Sequence, residues 1–302
     1  MITNLLDLLT WLGEKGIAIR DLKPDNLLAA GDQNKFPIFL STAREYNIGL
    51  IDLETAVDFK PAPFSQMEQP LIGGTLYYAT PTHFLVNRSL QKHFPEPGRI
   101  YFLQDWHAAL AIFYELVVGD YLFKRSARLL HNSIRTIRQT NGDEGMNARH
   151  HFWHSANEEL HAKCQEHAAA LNTVKAVIPE EFQEWLDREL SLTIETLDRC
   201  IAGHVRAQSY FKPEKTNEFL EFSIPKIEKL RNNCQNSRLF PDLPERRRHK
   251  LIKFFNELIA QRNAKSLAAG YLRVLRNDSG SITALDLIQM MFLVVRYGMH
   301  AE

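Results

Sequence analysis

At 302 residues, 45% hydrophobic and 24% charged, the chain has enough apolar sequence to bury a core as one large domain or two small ones. Lysine plus arginine and aspartate plus glutamate both total 36, so net charge gives no electrostatic ground for expecting DNA, RNA or an anionic membrane as a partner. Cys164, Cys200 and Cys234 are widely spaced and lack metal-ligand spacing, Asp7 interrupts the N-terminal apolar run, and no stretch approaches the ~20 apolar residues that span a bilayer. Reduced thiols in a cytoplasmic protein are therefore expected, not a disulfide framework, a secretory leader or a membrane anchor.

Ile2, Leu5, Leu6, Leu8, Leu9 and Leu12 recur at mostly helical spacing and predict a buried helix over 2–15, closed by Gly13 and Gly16. It leads into Ile19-Arg20-Asp21-Leu22-Lys23-Pro24-Asp25-Asn26, which sets a carboxylate, an ammonium and a carboxamide at offsets 0, +2 and +5 of one short loop. That set suits phosphoryl transfer. Asp21 can accept or orient a hydroxyl proton, Lys23 can neutralise a transferring phosphate, and Asn26 can hold a metal ion. The octet resembles the catalytic loop of the protein kinase family, His-Arg-Asp-Leu-Lys-Pro-x-Asn, with seven of eight positions in agreement and Ile19 in place of His. Lys23-Pro24 is similar to the Ser/Thr-specific members.

Leu27–Ala30 and Asn47–Ile51 read as two short strands of a hairpin. The connection over 31–46 is long for a hairpin and holds its own strand-like run, Phe36–Leu40, so it reads as an insertion relative to the family. Asp52-Leu53-Glu54 follows the second strand and resembles the family's Asp-Phe-Gly, which implies a magnesium-ligand role for Asp52. Glu54 in place of Gly removes backbone freedom at that point. Residues 55–82 then correspond to an activation segment. Gly74, Thr75, Tyr78 and Pro81 resemble the family's Gly-Thr-x-x-Tyr-x-Ala-Pro-Glu, with Thr82 where the acid usually stands. Thr75 is implied to hydrogen-bond near Asp21 and Lys23, and Arg20 is placed to pair with a phosphate on Ser65 or Thr75.

From Gln104 to Gly119 apolar residues run almost all round a helix, which predicts a central position. Asp105 could cap that helix. The resemblance implies instead that it accepts hydrogen bonds from the catalytic-loop backbone. His107 and Leu110 depart from the family pattern.

Residues 126–172 read as polar helix and 178–203 as two amphipathic helices, with Arg206 a faint equivalent of the family's buried arginine. His150, His154, Glu158 and His161 fall at helical spacing, which fits a solvated face better than a metal site. Asn232–Ser237, Pro241 and Pro244 suggest a linker before a helical segment over 245–302 that opens on the basic run Arg246–Lys250. Asn277–Ile282 resembles a calcium loop, but Leu275 falls at the first ligand position and cannot coordinate, so a turn capping the last helix is expected.

The expected fold is mainly α with a small β-hairpin region (α+β): a protein-kinase-like C-terminal lobe over 1–235, best matched over 1–125, and a helical C-terminal extension over 240–302. The resemblance implies ATP and Mg2+ as cofactors and a protein substrate. It assigns catalysis to Asp21 and Lys23, nucleotide binding to Lys23 and Asn26, metal binding to Asn26 and Asp52, and structural support to Arg20, Thr75 and Asp105. The family's Gly-rich loop, strand lysine and helix glutamate have no counterpart, so a partial or degenerate kinase domain is implied, with a separate chain as the source of the other lobe. Two alternatives stand beside it: a catalytically inactive interaction module, and a truncated fragment with exposed apolar surface.

Overall fold

The computed structural model describes residues 1–31, 47–60, 67–139, 143–207, 218–236, 244–277 and 281–299. In chain order the elements are α1 (Ile2–Lys15), β1 (Ile17–Ala18), β2 (Leu27–Ala30), β3 (Asn47–Leu50), β4 (Val57–Asp58), α2 (Asn87–His93), α3 (Pro97–Val118), α4 (Lys124–Gln139), α5 (Asp143–Glu166), α6 (Ala168–Thr173), β5 (Lys175–Val177) and α7 (Glu180–Arg206). They continue with α8 (Ile224–Gln235), α9 (Glu245–Asn277), β6 (Ser281–Thr283) and α10 (Ala284–Gly298). The chain is mainly α. Contacts divide it into a first unit, Met1–Leu186 with Asn277–Glu302, and a second, Asp187–Arg276.

The first unit is built round α3, whose residues from Ile100 to Tyr114 are buried without interruption. A helix apolar on every side has no solvent face to offer, so neighbours must cover it. α1 packs along it through its apolar stripe, and α10 and α6 pack on it as well. β6 pairs antiparallel with β5, Ala176 opposite Ile282, which returns the end of the chain to this unit. α10 lays its apolar face on α3 and α6, and its Phe292 also meets Phe123 and Trp153 of α5. The expected turn before α10 includes residues 278–280, which lie outside those described. Thr283 caps the helix, its Oγ1 accepting from the Asp286 N–H at 3.1 Å.

α1 runs to Lys15 and stops at Gly16, whose φ of 76° is the left-handed conformation that ends helices cheaply only at glycine. Gly13 stays inside the helix. A Cβ there would lie 2.2 Å from the Trp185 ring and 2.9 Å from Phe102. Helix propensity alone favours Gly13→Ala by ~1 kcal/mol, but forcing a methyl into an aromatic contact costs ~1–3 kcal/mol, so the substitution is expected to destabilise the first unit. A higher urea midpoint for Gly13→Ala than for the parent would contradict that close approach.

The segment 178–203 forms a single helix, not two. Phe182, Leu186, Leu190, Thr193, Leu197, Ile201 and Val205 are all buried, and their three- and four-residue spacing runs on without a proline or a glycine cap. In the second unit, Phe254, Phe255 and Leu258 of α9 form one core with Ile201, Val205 and Ile227. Arg276 grips Asp187 through two bonds at 2.6 and 2.9 Å. None of the three cysteines is in a disulfide, and no helix among the described residues is long and apolar enough to cross a membrane. Phe36–Leu40 lies outside the described residues.

Candidate active site

The site grows from the turn that follows β1. β1 pairs with β4, Ala18 opposite Val57, and the chain then turns sharply at Arg20, whose φ is 68°. A left-handed non-glycine residue is strained and persists only where its surroundings hold it. Here the holding group is Asp105. It lies well inside α3, not at its N-cap, and its Oδ2 and Oδ1 accept the Ile19 and Arg20 N–H groups at 2.6 and 2.8 Å. Burial pushes the Asp105 carboxyl up to about 7, against the pull of those two amides and the Arg20 guanidinium. Ile19, in the place of His, is buried, and its carbonyl accepts the Thr55 hydroxyl at 2.7 Å.

Arg20 is itself buried. Its Nε donates to Gln104 Oε1 at 3.2 Å, Nη1 to the Leu71 carbonyl at 2.7 Å and Nη2 to the His83 carbonyl at 3.4 Å, and the guanidinium lies over the Tyr101 ring. Leu71 and His83 flank the stretch that carries Thr75. One arginine thus clamps both ends of that stretch to the loop. Gln104 continues the network, donating from Nε2 to Thr82 Oγ1 at 3.0 Å, and Thr82 shares a 2.7 Å bond with Thr80 Oγ1. Where an acid would need a buried cation, this chain has a small hydroxyl held by neutral partners. Arg206 is exposed and has no such role. His83, kept neutral by burial and by Arg20 nearby, accepts the Thr80 N–H on Nδ1 at 3.0 Å.

Three of the five N–H groups of buried Arg20 are used on neutral acceptors, and the Thr75 hydroxyl is engaged by Asp21, which disfavours Arg20 as a receptor for a phosphate on Thr75. Ser65 lies outside the described residues.

Thr75 donates twice to Asp21 Oδ1, from its N–H at 2.8 Å and from Oγ1 at 2.9 Å, while Lys23 Nζ donates to Oδ2 at 2.8 Å. Partial burial works to raise the Asp21 carboxyl, but the Lys23 and Thr75 donors outweigh it and hold the group below the usual carboxylate range. Lys23 is raised, chiefly by its bond to Asp21, with partial burial opposing and the charges of Asp21, Asp52 and Asp25 adding. A carboxyl held low when folded adds stability above its unfolded value of 3.8, and that stability is lost as pH falls through the depressed folded value. The stability gap between the parent and Asp21→Asn is therefore expected to narrow between about pH 5 and about pH 3, measured by urea midpoints. A gap that widens on acidification would contradict the depressed value.

Asn26 is buried, and its Nδ2 donates to the Asp21 carbonyl at 3.0 Å, which orients the carboxamide and leaves Oδ1 for another partner. β2 and β3 pair antiparallel with Leu27 opposite Leu50, and the Ile51 N–H donates to the Asn26 carbonyl at 3.0 Å. Asp52 follows one residue beyond, close enough to the site for its charge to act on Lys23. It is exposed, with a φ of 59°. Among the described residues Arg20 and Asp52 are the two non-glycine residues with positive φ, and both border this site. Glu54, in the place of Gly, is exposed, and the left-handed turn falls two residues before it.

The carboxamide and carboxylate oxygens of Asn26 and Asp52 fit a hard divalent cation. No group of three or more His, Cys, Asp or Glu side chains suited to a metal occurs among the described residues, and Mg2+ characteristically takes one or two protein oxygens and completes its shell with phosphate and water. The histidines of α5 join no such group: His154 lies 3.2 Å from Glu158, which also pairs with Arg125 at 2.9 Å.

Sequence reasoning missed Gln104, His83 and Thr55. Gln104 carried a signal, being an uncharged polar residue beside Asp105 in a helix otherwise nearly all apolar. No family model matches the sequence, and no curated protein matches it.

Proposed function

We propose that the chain is a Ser/Thr-protein-kinase-like phosphotransferase that moves the γ-phosphate of ATP to a protein hydroxyl, with the first unit as a kinase-like C-terminal lobe. The observation that carries this reading is the fixing of Asp21: Thr75 on one oxygen, Lys23 on the other, and Asn26 on its carbonyl. Asp21 is ionised at neutral pH and held in one orientation, as a base that receives a hydroxyl proton must be. The hydroxyl oxygen attacks the γ-phosphorus, the bond to the bridging oxygen of ADP breaks, and the proton passes to Asp21. Lys23, part-exposed beside Asp21, faces the charge that develops on the transferring group. Asn26 Oδ1 and Asp52 would hold Mg2+, which supplies charge neutralisation on the phosphates.

Leu28, Ile51 and Leu53 are 55, 41 and 50% exposed round the hairpin that borders the site. This apolar surface supports a further protein segment as the cover for ATP. The inactive-module reading draws its support from the exposure of Asp52 and from Glu54 in the place of glycine.

The test is transfer of labelled γ-phosphate to Ser/Thr peptides by the full chain with Mg2+ and with EDTA. Magnesium-dependent phosphoserine or phosphothreonine is expected. Its absence from a folded preparation would leave the binding module as the better reading. Because Arg20 is committed to neutral acceptors, phosphatase treatment of the chain is expected to leave the transfer rate within about twofold, less than the loss of a charge-assisted clamp would cause. A rate that collapses on dephosphorylation would contradict that role for Arg20.

A further inference from the structure

A groove of about 560 Å3 opens directly beside the Asp21 loop, walled on one side by Thr75, Leu76 and Tyr77 and on the other by Ala127, Arg128, His131 and Asn132 of α4. Its two walls differ in character. Tyr77 stacks on Tyr121 with ring centroids 4.3 Å apart, which makes the loop wall apolar and firm. The helical wall is basic: Lys124–Gln139 holds Lys124, Arg125, Arg128, Arg135 and Arg138 and no acidic residue, in a chain whose net charge is zero.

The basic residues of α4 are not equivalent. Lys124 pairs with Asp120 and Arg125 with Glu158, while Arg138 reaches the Ile72 carbonyl and the face of Phe84. Arg128 and His131 have no hydrogen bond or ion pair within the described residues, both are exposed, and both line the groove. They stand one helical turn apart, so their side chains project from the same face.

We propose that this groove binds an acidic peptide segment, and that peptides with Asp or Glu close to the Ser or Thr are the substrate class of the site. The proposal rests on the phosphotransferase reading for the word substrate, but the binding it describes does not. Thr75 is shared: it lines the groove and donates to Asp21, so a peptide lying in the groove passes beside the carboxylate that would take its hydroxyl proton. Charge complementarity selects the class. A carboxylate meets the Arg128 guanidinium in bidentate geometry and a His131 ring N–H one turn away, while the peptide's apolar side chains meet Leu76 and Tyr77. A nucleic-acid strand fits less well, because Tyr121 already occupies one face of Tyr77 and leaves less ring surface for a base.

The test uses the full chain without nucleotide and follows fluorescence anisotropy of two labelled serine peptides of equal length, one rich in Glu beside the serine and the other with Gln at the same positions. Exposed ion pairs each contribute about two- to fivefold, so the Glu peptide is expected to bind roughly tenfold more tightly at low salt. Arg128→Glu should remove most of that preference. Arg273→Glu, the same change of charge on α9 of the second unit, should leave it within about twofold, inside the range of long-range charge effects. Equal binding of the two peptides, an unaltered preference in Arg128→Glu, or tighter binding of a single-stranded oligonucleotide than of the Glu peptide would overturn the assignment. Selective binding without phosphate transfer would leave this groove assigned and remove the phosphotransferase reading instead.

Discussion

Asp21→Asn is expected to lower phosphate transfer by roughly 10²–10⁴-fold while leaving the chain folded, since that is what a positioned general base contributes. Asparagine keeps the size of the side chain and a carbonyl oxygen for Thr75, whose N–H and hydroxyl lie 2.8 and 2.9 Å from Oδ1. It loses the charge that Lys23 faces and the capacity to take a proton. The measurement is initial transfer rate alongside near-ultraviolet circular dichroism, so that a folding defect and a chemical one separate. Thr75→Val is the informative companion. It deletes one of two Thr75 donors but not the backbone N–H, so Asp21 keeps its charge and loses part of its orientation, and a smaller loss is expected. Equal rates for the parent and Asp21→Asn would remove Asp21 from the reaction.

The largest expected effect on stability belongs to Asp105. Its replacement by Ala strands the buried Ile19 and Arg20 N–H groups. Each buried donor left unmade costs ~1–3 kcal/mol, so a loss of ~2–6 kcal/mol is expected from the two together. That is a large part of the ~5–15 kcal/mol that stabilises a typical domain. Asp105→Asn keeps one acceptor oxygen and should cost less. Trp11, Trp106, Trp153 and Trp185 all lie in the first unit, so tryptophan fluorescence during urea unfolding reports on that unit alone. A midpoint for Asp105→Ala that matches the parent would show that the left-handed turn at Arg20 is held by something else.

What was legible in the sequence was local. Asp21, Lys23 and Asn26 sit within one loop, where offset alone brings their groups together, and the strand pair β2–β3 announces itself by short apolar runs on either side. The same pairing sets Ile51 opposite Asn26 and leaves Asp52 at the next position, at the end of β3. The rest depends on distant chain. The Arg20–Gln104–Thr82 network joins three stretches that no spacing relates, so a guanidinium that reads as available in sequence is consumed in the fold. β5 and β6 are three-residue strands from distant parts of the chain, too short for an alternating pattern to stand out. The stretch that reads as two helices over 178–203 is one, because the buried face of α7 continues without a break.

The account turns on whether Asn26 and Asp52, which lie at the same end of the β2–β3 pair, serve a metal-bound nucleotide next to Asp21. Calorimetric titration of ATP into the full chain, with and without Mg2+, tests this directly, with Asp52→Ala and Asn26→Ala measured in parallel. The account predicts magnesium-dependent heat in the parent that falls by at least about tenfold in affinity in both variants, as expected for a ligand oxygen removed from a small donor set. Equal heats from the parent and Asp52→Ala, or binding indifferent to magnesium, would contradict it.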